Sequence, residues 1–109
     1  MKKYTHQEVQ KNCILALKQV YDPEISVNIY DLGLIYELNV DEKESAYSVS
    51  VKMTMTSPTC PLADDLVRDV NNALKDVPGV EDVNIELVFE PMWDESRMSE
   101  EAKLELGLL

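Results

Sequence analysis

Tyr47-Ser48-Val49-Ser50-Val51-Lys52-Met53-Thr54-Met55-Thr56-Ser57-Pro58-Thr59-Cys60-Pro61-Leu62-Ala63-Asp64-Asp65-Leu66 changes its hydrophobic period once, and that change decides the fold. Tyr47, Val49, Val51, Met53 and Met55 alternate with Ser48, Ser50, Lys52, Thr54 and Thr56, which predicts a strand with one apolar and one wet face. From Ala63 onward the apolar residues Leu66, Val67, Val70, Leu74 and Val77 recur at helical spacing, with Asp64, Asp65, Arg68, Asp69, Asn72 and Lys75 on the other side. Pro61 suits a first helical position, where its missing N–H would have no intrahelical partner. Cys60 is therefore placed at or beside a helix N-cap, directly after a strand.

That placement gives the thiol a chemical reading. Free backbone N–H groups and the positive end of the helix dipole favour a thiolate, which is both nucleophile and metal ligand. Asp64 and Asp65, one turn into the helix, oppose ionisation. The bland alternative is a buried, inert cysteine, which the loop context disfavours.

Working outward, Val9, Cys13, Ala16, Leu17 and Val20 share one face of a helix expected from about Thr5 to Val20. It should end near Asp22, because the residue before Pro23 is pushed out of the helical region. Leu34, Tyr36, Leu38 and Val40 alternate in a first strand, joined to the strand before Cys60 by a charged hairpin from Asp41 to Ser45. Pro78-Gly79 turns the chain into a third strand carrying Val83, Ile85, Leu87 and Phe89 on one face. The order helix, strand, strand, helix, strand predicts an α+β two-layer sandwich. Its three-stranded mixed or antiparallel sheet has an antiparallel hairpin, a crossover helix and both helices on one side. Strand order stays open.

Other candidates for chemistry are few. Cys13 lies in the apolar stripe of the first helix and reads as a core thiol. His6 is the only histidine, near the terminus, with no second ligand in sequence reach. Asp22-Pro23-Glu24-Ile25 puts two carboxylates around a rigid turn. They suit general bases, hard metal ligands or ordinary turn residues. Asp31-Leu32-Gly33 reads as a turn into the first strand, with Gly33 at positive φ. The tail, 91–109, has more apolar residues than a free end needs, among them Trp93, Met98, Ala102, Leu104 and Leu106. Ser99 can cap a short helix there, stopped by Gly107. The tail either packs over the domain or forms a docking surface for a partner or second subunit.

With 109 residues the chain is expected to be one domain. Ten basic against twenty-one acidic residues give a formal charge of -11, which argues against nucleic acid and anionic membranes as partners. No apolar run approaches the roughly 20 residues of a membrane span. Met1-Lys2-Lys3-Tyr4 leads into a polar stretch unlike a signal-peptide core. Together with only two cysteines, this predicts a cytoplasmic, reducing location without a structural disulfide.

Five segments occur together and in order: Asp22-Pro23-Glu24-Ile25, Asn28 to Tyr36, Thr56 to Pro61, Phe89-Glu90-Pro91-Met92-Trp93, and Met98 to Lys103. Through them the chain resembles the SufT/PaaD-like metal-sulfur cluster biosynthesis family, over nearly all residues from Asp22 onward. Ser57 and Met92 depart from that pattern, standing where threonine and a second proline are common. The resemblance implies a small α+β domain of the iron-sulfur cluster assembly type, in its minimal single-domain form. It also implies a role in delivering clusters to apo-client proteins together with the assembly machinery. It places the family's cysteine on Cys60, its hydroxyl-rich approach on Thr56, Ser57 and Thr59, and its acidic pair on Asp22 and Glu24. Conventional clusters use four thiolates and this chain offers one candidate. Cys60 is accordingly expected to be a transient cluster or iron ligand, shared with a client thiol or with a second copy in a homodimer. Asp22 and Glu24 would be hard ligands or proton acceptors, and the hydroxyls would be hydrogen-bond donors. Two other readings are a non-catalytic adaptor working through its acidic surface and tail, and a redox-active thiol enzyme. The latter lacks a nearby resolving cysteine.

Overall fold

The structure, a computed structural model, describes residues 4–22, 27–44, 46–55 and 63–107. Helix α1 spans His6–Leu17 and starts on a capping box. Thr5 Oγ1 accepts the Glu8 N–H at 3.1 Å, and Glu8 Oε1 accepts the Thr5 N–H at 3.3 Å, so two otherwise unpaired donors are satisfied. The helix stops three residues short of Val20. Its end tightens, with the Gln19 N–H on Ala16 O and the Val20 N–H on Leu17 O; beyond it the Ile29 N–H donates to Val20 O and the Asp22 N–H to Val27 O, around a bridge between Tyr21 and Asn28. Groups committed to that bridge cannot continue a helix.

Strands β1 (Ile35–Glu42), β2 (Tyr47–Met53) and β3 (Val80–Leu87), with α2 (Ala63–Lys75) between the last two, complete the expected order. The sheet runs β1-β2-β3, antiparallel then parallel, and is therefore mixed. Cross-strand partners share a face. Leu38 and Val40, Val49 and Val51, and Val83 and Ile85 thus face the helices, while Glu37, Asn39, Ser48, Ser50, Lys52, Asp82, Asn84 and Glu86 face away. The core joins Val9, Cys13 and Leu17 of α1 to Leu66, Val70 and Leu74 of α2 over Val49, Val51 and Met53. Exposed on the far side of α2 are Asp64, Asp65, Arg68 and Lys75, with Arg68 paired to Asp65 at 2.9 Å.

Two strand ends differ from expectation. β2 ends at Met53, and Thr54, placed by alternation on the wet face, is 1% exposed. Its N–H bonds to Leu34 O at 2.8 Å, so past Met53 the chain is held by the turn before β1 and the alternation ceases. β3 ends at Leu87, not Phe89, because β2 offers no residue beyond Met53. The last bond runs from the Val88 N–H to Met53 O, and Phe89 is left 40% exposed.

The chain after β3 returns to β1. Tyr36 is an extra residue between the Ile35–Met53 and Glu37–Lys52 pairs, and this bulge sends its hydroxyl to Pro91 O at 2.7 Å. The Arg97 guanidinium lies 4.6 Å from the centre of the Tyr36 ring. Trp93 packs against the core, and Met98 and Ala102 are buried in it. Helix α3 (Glu100–Glu105) starts on Ser99, whose Oγ accepts the Ala102 N–H, and ends before Gly107 at φ 76°. Met92 and Leu104 remain well exposed.

Candidate functional site

Strand direction gathers the candidate segments. β1 begins, and β2 and β3 end, at the same end of the sheet, where α1 also delivers Asp22. Residues 20–22, 27–34, 54–55 and 88–98 are therefore grouped there, the position at which parallel strands present ligand sites in open sheets.

Backbone hydrogen bonds hold the frame. The Ile29 N–H donates to Val20 O at 2.9 Å, the Leu34 N–H to Ile29 O at 3.1 Å, and the Thr54 N–H to Leu34 O at 2.8 Å. This relay fixes the Asp22 loop against the end of β2. Within it Asn28 Oδ1 accepts the Asp31 N–H at 2.9 Å while Asn28 Nδ2 donates to Asp31 Oδ2 at 2.8 Å, locking the turn. Gly33 follows at φ 83°, where a left-handed backbone is needed to enter β1.

Asp22 is 5% exposed at this end. A carboxylate so placed is not an ordinary solvated turn residue, since a buried carboxylate needs hydrogen-bonding partners in place of water. Glu24, Thr56, Ser57, Thr59 and Cys60 lie outside the described residues, as does the expected N-cap arrangement at Pro61. What the structure ties together is the chain around Val20 and Ile29 with Leu34 and Thr54, the last of which leads in sequence toward the cysteine segment. Sequence reasoning missed Thr54, because strict alternation assigned it to solvent. It also missed the locking role of Asn28 and Asp31, whose spacing of three is the only local signal.

The other candidates resolve as structure. Cys13 is fully buried, and burial pushes its thiol up to about 11, so it stays protonated and unreactive. His6 opens α1, with Nε2 2.7 Å from Val40 O and its ring edge-on to Tyr47. Among the described residues no three His, Cys, Asp or Glu side chains converge as a metal site. A hollow of about 550 Å³ lies between Tyr36, Lys52, Pro91 and Arg97 on the outer face. Its cations are engaged, Lys52 with Glu37 at 3.6 Å and Arg97 on Tyr36.

The helix-strand-strand-helix-strand order over a three-stranded mixed sheet, with a buried aspartate at the end where β2 and β3 finish, defines a class of small α+β domain. The chain belongs to the family described as iron-sulfur cluster assembly protein, which matches residues 12–87. It is 50% identical to an Fe-S protein maturation auxiliary factor of Porphyromonas gingivalis over 94% of both chains. It is 41% identical to the Fe-S protein maturation auxiliary factor YitW of Bacillus subtilis, over 92% of this chain and 95% of that one. In three dimensions it is similar to a crystal structure of a domain of unknown function from Bacillus anthracis. That similarity has a TM-score of 0.83 and 36% identity, covering 94% of this chain and 95% of the other. No helix among the described residues is long and apolar enough to cross a membrane.

Proposed function

We propose that this protein is a cytoplasmic accessory factor, not an enzyme, that matures iron-sulfur proteins. In this reading residues 1–109 form one cluster-assembly domain, and Cys60 is a transient ligand for cluster or iron in transit to apo-clients. The observation that carries the reading is the end-to-end likeness to maturation auxiliary factors. In sequence Cys60 falls between the end of β2 at Met53 and the start of α2 at Ala63. The cluster is cargo, and one thiolate cannot hold it alone. Remaining ligands come from a client thiol or from Cys60 of a second copy. Asp22 and Glu24 accept the thiol proton or bind iron, and Thr56, Ser57 and Thr59 donate to thiolate or sulfide.

The test is aconitase activity in cells lacking the protein and resupplied with the native chain or Cys60→Ser at equal abundance. Restoration by the native chain alone supports the ligand role. Equal restoration by Cys60→Ser removes it and leaves an adaptor. Anaerobic reconstitution with iron counting then asks whether cluster binds to the isolated chain.

A further inference from the structure

The two outer strands of the sheet are finished differently. On β1, His6 Nε2 lies 2.7 Å from Val40 O, and Tyr36 and Arg97 join the strand to the tail. Among the described residues, the backbone of β3 is bonded to β2 and, at Val80, to Val77 O. An edge strand turns the N–H and C=O of every second residue outward, a template for another strand. The apolar row on β3 is also incomplete. Val83, Ile85 and Leu87 are only half-buried, whereas their partners Val49, Val51 and Met53 are at most 2% exposed.

Charge selects the occupant. On the opposite face of β3, Asp82 and Glu86 flank Asn84, all exposed, and neither carboxylate is in an ion pair among the described residues. Lys52 is the register partner of Glu86 yet gives its ammonium to Glu37. A second copy of this chain is a poor fit. Antiparallel self-pairing about Asn84 sets Asp82 against Glu86, and parallel pairing stacks identical carboxylates. We propose that the open edge of β3 accepts an extended segment of a partner protein with Lys or Arg at every second position and apolar residues between. The basic side chains meet Asp82 and Glu86, and the apolar ones cover Val83, Ile85 and Leu87. This goes beyond the cluster chemistry and does not depend on Cys60.

The test uses the full chain, isotopically labelled for amide NMR, titrated with an eight-residue peptide of alternating Lys and Val. The expected result is shift changes and slowed amide exchange confined to residues 80–88. A Glu/Val peptide should not bind, nor should the Lys/Val peptide with N-methylated backbone amides. Asp82→Lys/Glu86→Lys, both on exposed positions, should weaken the Lys/Val peptide about tenfold or more and admit the Glu/Val peptide. No binding, changes centred elsewhere, equal binding of the N-methylated peptide, or an unaltered affinity in the double variant would each overturn the proposal.

Discussion

The indole Nε1 of Trp93 donates to the carbonyl oxygen of Leu32 at 2.7 Å, tying the chain after β3 to the turn before β1. Leu32 is fully buried, so its carbonyl has no ready access to water if the indole is lost. Trp93→Phe keeps most of the apolar contact but orphans that oxygen, and should cost about 1–2 kcal/mol; Trp93→Ala should cost about 3 kcal/mol. Urea midpoints of the two variants check this. Equal midpoints for native and Trp93→Phe would show that the bond contributes little.

Gly33 sits at φ 83°, and a Cβ there would come within 2.8 Å of Arg97 Cβ, with the Arg97 carbonyl also in the way. Gly33→Ala therefore meets both a backbone penalty and a clash, and should lose about 3 kcal/mol. Because the obstruction is the tail, amide exchange in residues 94–106 should accelerate more than in α1.

Ser99 does two things through different atoms. Its N–H donates to Asp31 O at 2.7 Å, and its Oγ caps α3. Ser99→Ala keeps the first and removes the second, so about 1 kcal/mol should be lost. The measurable sign is faster amide exchange at residues 102–106 with Trp93 fluorescence unchanged.

Cys13 provides a pH prediction. Its folded pKa is raised from 9.0 to about 11 by burial, so the unfolded chain releases this proton first as pH rises. The contribution is whole below about pH 9 and is lost as pH climbs through 11. Native protein should lose more stability than Cys13→Ala between pH 8.5 and pH 10.5, values chosen at about the edges of that window. Alkylation at pH 8 should modify a single thiol per folded chain, and both only after unfolding.

Much of this architecture was legible from period changes alone. The switch from alternation to helical spacing across residues 47–66 announced a strand followed by a crossover helix, whereas the strand order and the parallel β2–β3 pairing come from the structure. What local pattern misplaced were ends set by distant partners. After α1 the chain turns to give Val20 O to the Ile29 N–H, and Thr54 is drawn in by the bond from its N–H to Leu34 O. Neither partner is encoded within a turn of the residue it affects. For the site, the Asp22-Pro23-Glu24-Ile25 motif drew attention to Asp22, but periodicity could not say that it is buried. The tail shows the same limit: an apolar count flagged Trp93, Met98 and Ala102 without distinguishing them from Leu104, which stays exposed.

Antiparallel-then-parallel strand order also leaves the molecule with a quiet pole. The Lys43–Ala46 connection, closed by the Lys43 N–H to Ala46 O at 2.8 Å, and the Pro78–Gly79 turn lie at the opposite end of the sheet from Leu34, Thr54 and Val88. Tyr4 lies there too, its carbonyl held by the Tyr47 hydroxyl. A fluorophore, affinity handle or fused reporter grafted at this pole would be a sheet's length from Thr54 and the buried Asp22. Such a chimera could be immobilised by the hairpin and still offer its working end to other proteins.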